Sequence, residues 1–173
     1  MSFVTRPLAF MLIFAGAGAT LKLADRLGER DQGLRAYVTA IFSGALFGTA
    51  MHLGVEESSY VFGIVLGVVL GGKVNRPNLL AGLLTVAVSN LLFGLALPEP
   101  WLVVVVALLS FVDEVGHDRL GGRSGLVGLL FRYRLGLKVG TVLLAVSTFI
   151  SVTTALDFFS FDLSYDLVSH FVE

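Results

Sequence analysis

Eleven of the twelve Lys and Arg residues in this chain fall in every second connection between apolar segments. A chain that sorts its cations in this way is built to thread a membrane repeatedly, because Lys and Arg resist translocation and hold alternate loops on one face. The first connection and its flanks carry Lys22, Arg26, Arg30 and Arg35. The third carries Lys73 and Arg76, and the fifth carries Arg119, Arg123, Arg132, Arg134 and Lys138. The second connection holds Glu56 and Glu57 and the fourth holds Glu99, and neither has a cation. Arg6 alone departs from the pattern. Loops one, three and five are therefore expected to be cytoplasmic, and both termini to lie outside.

Composition agrees. Hydrophobic residues make up 55% of the 173 positions and charged residues only 14%, whereas a soluble domain carries about 25% charged residues. Too little polar surface is left to cover a soluble globule of this length. A net charge of −1 argues against a nucleic-acid partner. The absence of cysteine excludes disulfides, thiolate metal ligands and thiol nucleophiles.

A membrane helix needs about 20 mostly apolar residues. Spans are read from Pro7 to Ala24, Arg35 to Leu53, Tyr60 to Val74, Pro77 to Leu97, Pro100 to Val112 and Leu135 to Leu156. Pro77 and Pro100 suit a first helical turn, where a missing N–H costs nothing. The fifth helix is expected to continue through Asp118. Arg6, the apolar run Leu8 to Phe14 and Ala15-Gly16-Ala17 mimic a signal peptide. The apolar run continues to Leu23, so an uncleaved first helix is the reading taken. The expected fold is all-α: one integral cell-membrane domain over residues 1–173, a polytopic bundle of about six transmembrane helices. A short amphipathic C-terminal helix would close its outer face. In that helix Phe161, Tyr165, Val168 and Val172 form a stripe opposite Asp162, Asp166, Ser169 and Glu173. His52 and His170 would then share the outer side.

Small residues recur at helical spacing: Gly63, Gly67 and Gly71 on the third span, and Gly44 and Gly48 on the second. They permit close backbone approach, which matters more in lipid than in water. Packing within the bundle is the preferred reading, and a homo-oligomer seam along these faces is the alternative. Asn90, inside the fourth span, is expected to make a structural hydrogen bond.

Two helix ends on the expected cytoplasmic face are dense in ionisable residues. Lys22, Asp25, Arg26 and Glu29 share an arc of roughly 100° on the first helix. Asp25 and Glu29 are like charges at i,i+4, a costly arrangement unless a cation lies beside them. Lys22, Arg26 or a metal ion could be that cation. On the fifth helix, Asp113 and His117 are i,i+4, as are Glu114 and Asp118. A carboxylate-rich set with one imidazole suits Mg²⁺, Mn²⁺ or Fe more than soft metals. The two ends also share the pattern D-x-[LV]-G-x4-G-x-R, which matches Asp25 to Asp113 and Arg35 to Arg123.

Membrane helices end in charge because water begins there, so an interfacial cap is the plain reading of each cluster. The sharper reading is a site for a phosphate-bearing membrane lipid. Asp113, Asp25 and His117 would act as acid–base groups. Asp113, Glu114, Asp118, Asp25 and Glu29 would hold the metal, and Lys22, Arg35, Lys73, Arg76 and Arg123 would grip the anionic head group. In its logic this is similar to CDP-alcohol phosphotransferases and UbiA-type prenyltransferases, which place aspartates at cytoplasmic helix ends. The D-x-x-D-G-x-x-A-R pattern of the former and the N-D-x-x-D-x-x-x-D pattern of the latter are both absent, so no membership follows. A small transporter or channel is the second expectation, weakened because the expected spans carry no charge near their middles. A non-catalytic membrane subunit is the third, and it requires the charged helix ends to be spent on each other.

Overall fold

The computed structural model describes residues 5–171, with side chains from Leu8 onward. All regular structure among these residues is helical: α1 (Thr5–Arg30), α2 (Leu34–Leu53), α3 (Val55–Leu70), α4 (Pro77–Phe93), α5 (Pro100–Leu120), α6 (Leu126–Arg132), α7 (Leu135–Val146) and α8 (Val152–Phe171). Pro77 and Pro100 open α4 and α5 as expected. α5 does continue past Asp118. A Cβ on Gly116 would run into the Phe131 ring, so the glycine there makes room for a neighbour and does not stop the helix.

α1 from Leu8, α2 and α5 are each long and apolar enough to cross a membrane, while α4 and α7 are apolar but shorter. The outward faces are greasy too: Leu12, Phe42, Leu84, Leu91 and Val104 are all exposed. A bundle that is apolar inside and out suits a lipid solvent.

The expected sixth span is not one helix. It breaks between Val146 and Val152, where Thr148 takes a left-handed backbone conformation (φ 60°). Hydroxyl and carboxylate groups cause the break. Glu56 accepts the Ser151 N–H at 2.8 Å, and the Ser151 hydroxyl accepts the Thr154 N–H at 3.1 Å. These bonds offer the backbone a new helix start in place of continuation. α8 then runs back antiparallel to α7, so that Lys138 near the start of α7 meets Asp162 and Asp166 far along α8.

The C-terminal segment is therefore no cover on the outer face. α8 packs along α1, with Phe161 against Phe47 at 5.6 Å between ring centroids and Phe158 against Tyr60 at 6.0 Å. It ends at the same end of the bundle as α1. Val172 and Glu173 of the expected stripe lie outside the described residues, as does the Arg6 side chain. His52 and His170 sit at opposite ends, and His52 is engaged by the Gly48 carbonyl and the Phe93 ring.

Helix contacts close a circuit, α1–α2–α3–α5–α7–α8 and back to α1, with α4 packed on α2 and α1. The glycine faces are used within the chain. A Cβ on Gly67 would fall 2.6 Å from the Ala107 carbonyl oxygen of α5, and Gly63 and Gly71 face α5 as well. Gly44 and Gly48 face α4, at Gly82 and Ser89. Asn90 donates to the Val86 carbonyl of its own helix at 2.9 Å, with Met51 Sδ at 3.1 Å, a structural role as expected.

Candidate functional site at the charged end

The ends of α1, α5 and α8, the start of α7 and the loop before α4 gather at one end of the bundle. The loop does the joining. Arg76 donates from one guanidinium nitrogen to Asp25 Oδ1 at 2.7 Å and from the other to Glu29 Oε1 at 3.2 Å. The like-charged pair on α1 is thus bridged by a cation from a different part of the chain, with Arg26 adding a contact to Glu29 at 3.2 Å. Three residues earlier in the loop, Lys73 lies 2.5 Å from Asp118 and 3.9 Å from Glu114. The like-charged pair on α5 is bridged in the same way. Asn78, fully buried at the start of α4, pins the loop to α1 through a 2.8 Å bond to the Ala24 carbonyl.

Asp113 has another task. Its two oxygens accept the N–H groups of Gly136 and Leu137 at 3.0 and 2.7 Å, and it is 3% exposed. It caps the start of α7 from α5. A Cβ on Gly136 would crowd the carboxylate, so the glycine makes this cap possible. The matched pattern that pairs Asp25 with Asp113 therefore does not pair their roles. The counterpart of Asp25 is Glu114, one position on. Nor do Arg35 and Arg123 share a site, since Arg35 stands exposed at the start of α2 and Arg123 follows α5, both outside the cavity described below.

His117 Nδ1 lies 3.1 Å from the Phe131 carbonyl oxygen, a contact that ties α5 to α6. Arg134 sits just before α7 with φ 48° and donates to Glu114 at 3.2 Å, while its buried Nε has no partner. Burial works against its charge, but Glu114, Tyr165 and Asp166 outweigh it and hold its pKa above the ordinary arginine value.

These groups surround a cavity of about 640 Å³. Its charged mouth includes Lys22, Asp25, Lys73, Arg76, Arg134 and Lys138, and its deeper wall includes Phe47, Ile64, Val86 and Phe158. Lys22 differs from Lys73, Arg76, Arg134 and Lys138. Its Nζ stands 4.9 Å over the Tyr165 ring, and among the described residues it makes no direct ion pair, though Asp25 attracts it electrostatically. Lys138 is held between Asp162 at 3.1 Å and Asp166 at 3.2 Å.

The expected metal ligands are engaged elsewhere: Asp25 and Glu29 by Arg76, Glu114 and Asp118 by Lys73, and Asp113 by two backbone N–H groups. Among the described residues, no group of three or more His, Asp or Glu is placed to hold a metal ion.

Sequence reasoning did not bring Tyr165, Asp162 and Asp166 to this site, because it placed them on the far side of the membrane. One signal pointed the other way. Ser147, Thr148, Ser151, Thr153 and Thr154 crowd the second half of the expected sixth span, and hydroxyl clusters favour caps and turns. No protein-family model, no curated protein and no solved structure matches this chain.

Proposed function

We propose that this is an integral membrane protein that binds a phosphate-bearing amphiphile, such as a membrane lipid, in the cavity at its charged end. One observation carries the reading. Lys22, which makes no direct ion pair among the described residues, stands at the mouth of a cavity whose deeper wall is apolar. An ammonium in that position recognises an anionic head group, and the Phe47–Val86 wall takes an acyl or prenyl chain. The Arg134 guanidinium, with its unpartnered Nε, is the second anchor.

The crossings belong to the same proposal. α7 alone is about 18 Å long and too short to cross a hydrocarbon core of about 30 Å. With the turn after it, α7 reaches the far end, where Phe149 meets Trp101 at 5.7 Å. Counting α7 and α8 separately gives seven crossings in place of the expected six. The excess of Lys and Arg in loops one, three and five favours a cytoplasmic position for the cavity. An odd number of crossings then brings the end of α8 inside with it.

Metal-dependent group transfer on the same ligand is the catalytic form of this proposal. It requires the ligand to draw Lys73 or Arg76 away from their carboxylates, since metal and cation compete for the same oxygens. A second reading, transport, gains from one observation. Asp157 lies buried within α8, so the interior does hold an ionisable group of the kind that marks ion pathways.

The test is thermal stability in detergent with a short-chain phosphatidic acid, compared with a neutral lipid of equal chain length. The wild type should be stabilised by the phosphate-bearing lipid alone, and Lys22→Gln should lose most of that shift. Equal stabilisation by both lipids, or an unchanged shift in the variant, rejects the reading.

A further inference from the structure

The opposite end of the bundle contains a buried carboxylate that the charged cavity does not explain. Asp157, on α8, is 1% exposed, and neither of its oxygens has a hydrogen-bond partner. Its neighbour is another carboxylate, Glu57 on α3, which is 8% exposed and accepts a bond from the Thr154 hydroxyl at 3.1 Å. The same hydroxyl lies 2.6 Å from Glu56, and Glu56 also accepts the N–H of exposed Ser151. A line of polar groups therefore runs inward from Ser151 through Glu56, Thr154 and Glu57 towards Asp157.

Among the described residues no cation neutralises this pair. The described ionisable groups that face it are Glu56, Glu57 and Tyr60, all from α3, and the Tyr60 hydroxyl is directed to Thr141 at 3.3 Å. Residues 8–21 of α1, 100–112 of α5 and 139–146 of α7 contain no ionisable side chain. A carboxylate buried without hydrogen bond or counter-ion is costly to ionise, and a second carboxylate nearby adds to that cost. Asp157 is the more deeply buried of the two and neither of its oxygens has a partner, whereas Glu57 lies within reach of the Thr154 hydroxyl that it shares with Glu56, so Asp157 is the member that takes the proton.

We propose that Asp157 and Glu57 form a proton-binding site opening to the face opposite the charged cavity. One proton from that side is held on Asp157, with Glu57 as the second carboxylate of the pair. Glu56 and Thr154 are the groups through which the proton enters and leaves. Two carboxylates and one solvent proton become one carboxylic acid and one carboxylate, and no other reactant is needed. The site stands independently of the ligand proposed for the charged end. It gives this chain a proton-responsive element in lipid, where intramembrane carboxylates mark functional sites.

Infrared spectroscopy of the purified full chain in detergent, titrated with pH, tests the proposal. The wild type should show a protonated carboxyl band at neutral pH, and Asp157→Asn should remove it. In Glu57→Gln the band should persist but titrate away at lower pH than in the wild type, because the like charge is gone. Should Asp157→Asn fail to fold, the shift in Glu57→Gln decides alone. A wild type without such a band at neutral pH, or a Glu57→Gln titration unchanged from wild type, overturns the proposal. Stabilisation by Na⁺ over K⁺ that depends on Asp157, with no carboxyl band, also overturns it and assigns the site to a metal cation.

Discussion

Lys73 and Arg76 stand three residues apart in one loop, yet they neutralise carboxylate pairs on two different helices. Lys73 takes Glu114 and Asp118 of α5, and Arg76 takes Asp25 and Glu29 of α1. Each pair is an i,i+4 repulsion within its own helix, and each is relieved by the same short connection. The loop therefore acts as a strap across the charged end and sets the width of the cavity mouth between α1 and α5.

Arg76→Gln should expose the Asp25–Glu29 repulsion and lower stability by about 1 kcal/mol, modest because the pair is partly solvated. Adding Glu29→Gln should recover part of that loss. Thermal melts of both variants at low and high salt would check it, and the single-variant loss should shrink as salt rises. Full additivity of the two changes would contradict the bridging geometry.

Lys73→Gln should free the Asp118 carboxylate and leave Glu114 held by Arg134 alone. Mn²⁺ should then raise the melting temperature of the variant more than that of the wild type, because the metal no longer competes with the ammonium. Identical Mn²⁺ responses would show that Lys73 does not occupy a latent metal position.

Asp113→Ala should cost about 1–2 kcal/mol, the usual scale for a lost helix cap. Asp113→Asn keeps one acceptor and should cost less. Neither variant should abolish binding of a phosphate-bearing lipid, since Asp113 faces backbone N–H groups. Loss of lipid binding in a folded Asp113→Asn protein would return this residue to the functional centre.

The absence of cysteine makes single-cysteine labelling clean. In sealed, oriented vesicles, Ser169→Cys and Ser124→Cys should react with a membrane-impermeant maleimide from the same side, and Thr153→Cys from the other. Labelling of Ser169→Cys together with Thr153→Cys would restore a six-crossing chain with an outer C-terminal helix.

Gly67→Leu should destabilise strongly, by about 3 kcal/mol or more, because the backbone of α5 lies where the side chain must go. Gly94→Ala faces open space and carries only the cost of its left-handed backbone, φ 82°. Melting temperatures of the two should therefore separate clearly.

Much of the site was legible in sequence, though not its wiring. The segments holding Lys22 to Glu29, Lys73 to Arg76 and Asp113 to Asp118 were expected on one face, and they do converge. The acids were expected to hold a metal and the cations to hold a head group. In the structure most of these groups hold each other. Opposite charges brought within about 3 Å at a half-buried helix end pair before they bind anything else, and sequence spacing says nothing of partners from distant loops. The misreading of α8 has a different origin. Five hydroxyl residues look harmless in an apolar stretch until a carboxylate from α3 supplies the cap that breaks the helix.

Sequence alone determined the all-α character, the apolar solvent and the helix starts at Pro77 and Pro100. It also determined which loops share a face. These follow from local periodicity, backbone chemistry and the cost of burying charge in lipid. Tertiary structure decided the return of α8, the capping role of Asp113, the strap of Lys73 and Arg76, the stacking of Lys22 on Tyr165 and the isolation of Asp157. Each of these depends on a contact between residues far apart in the chain, and a side chain's partner, unlike its periodicity, exists only once the helices have packed.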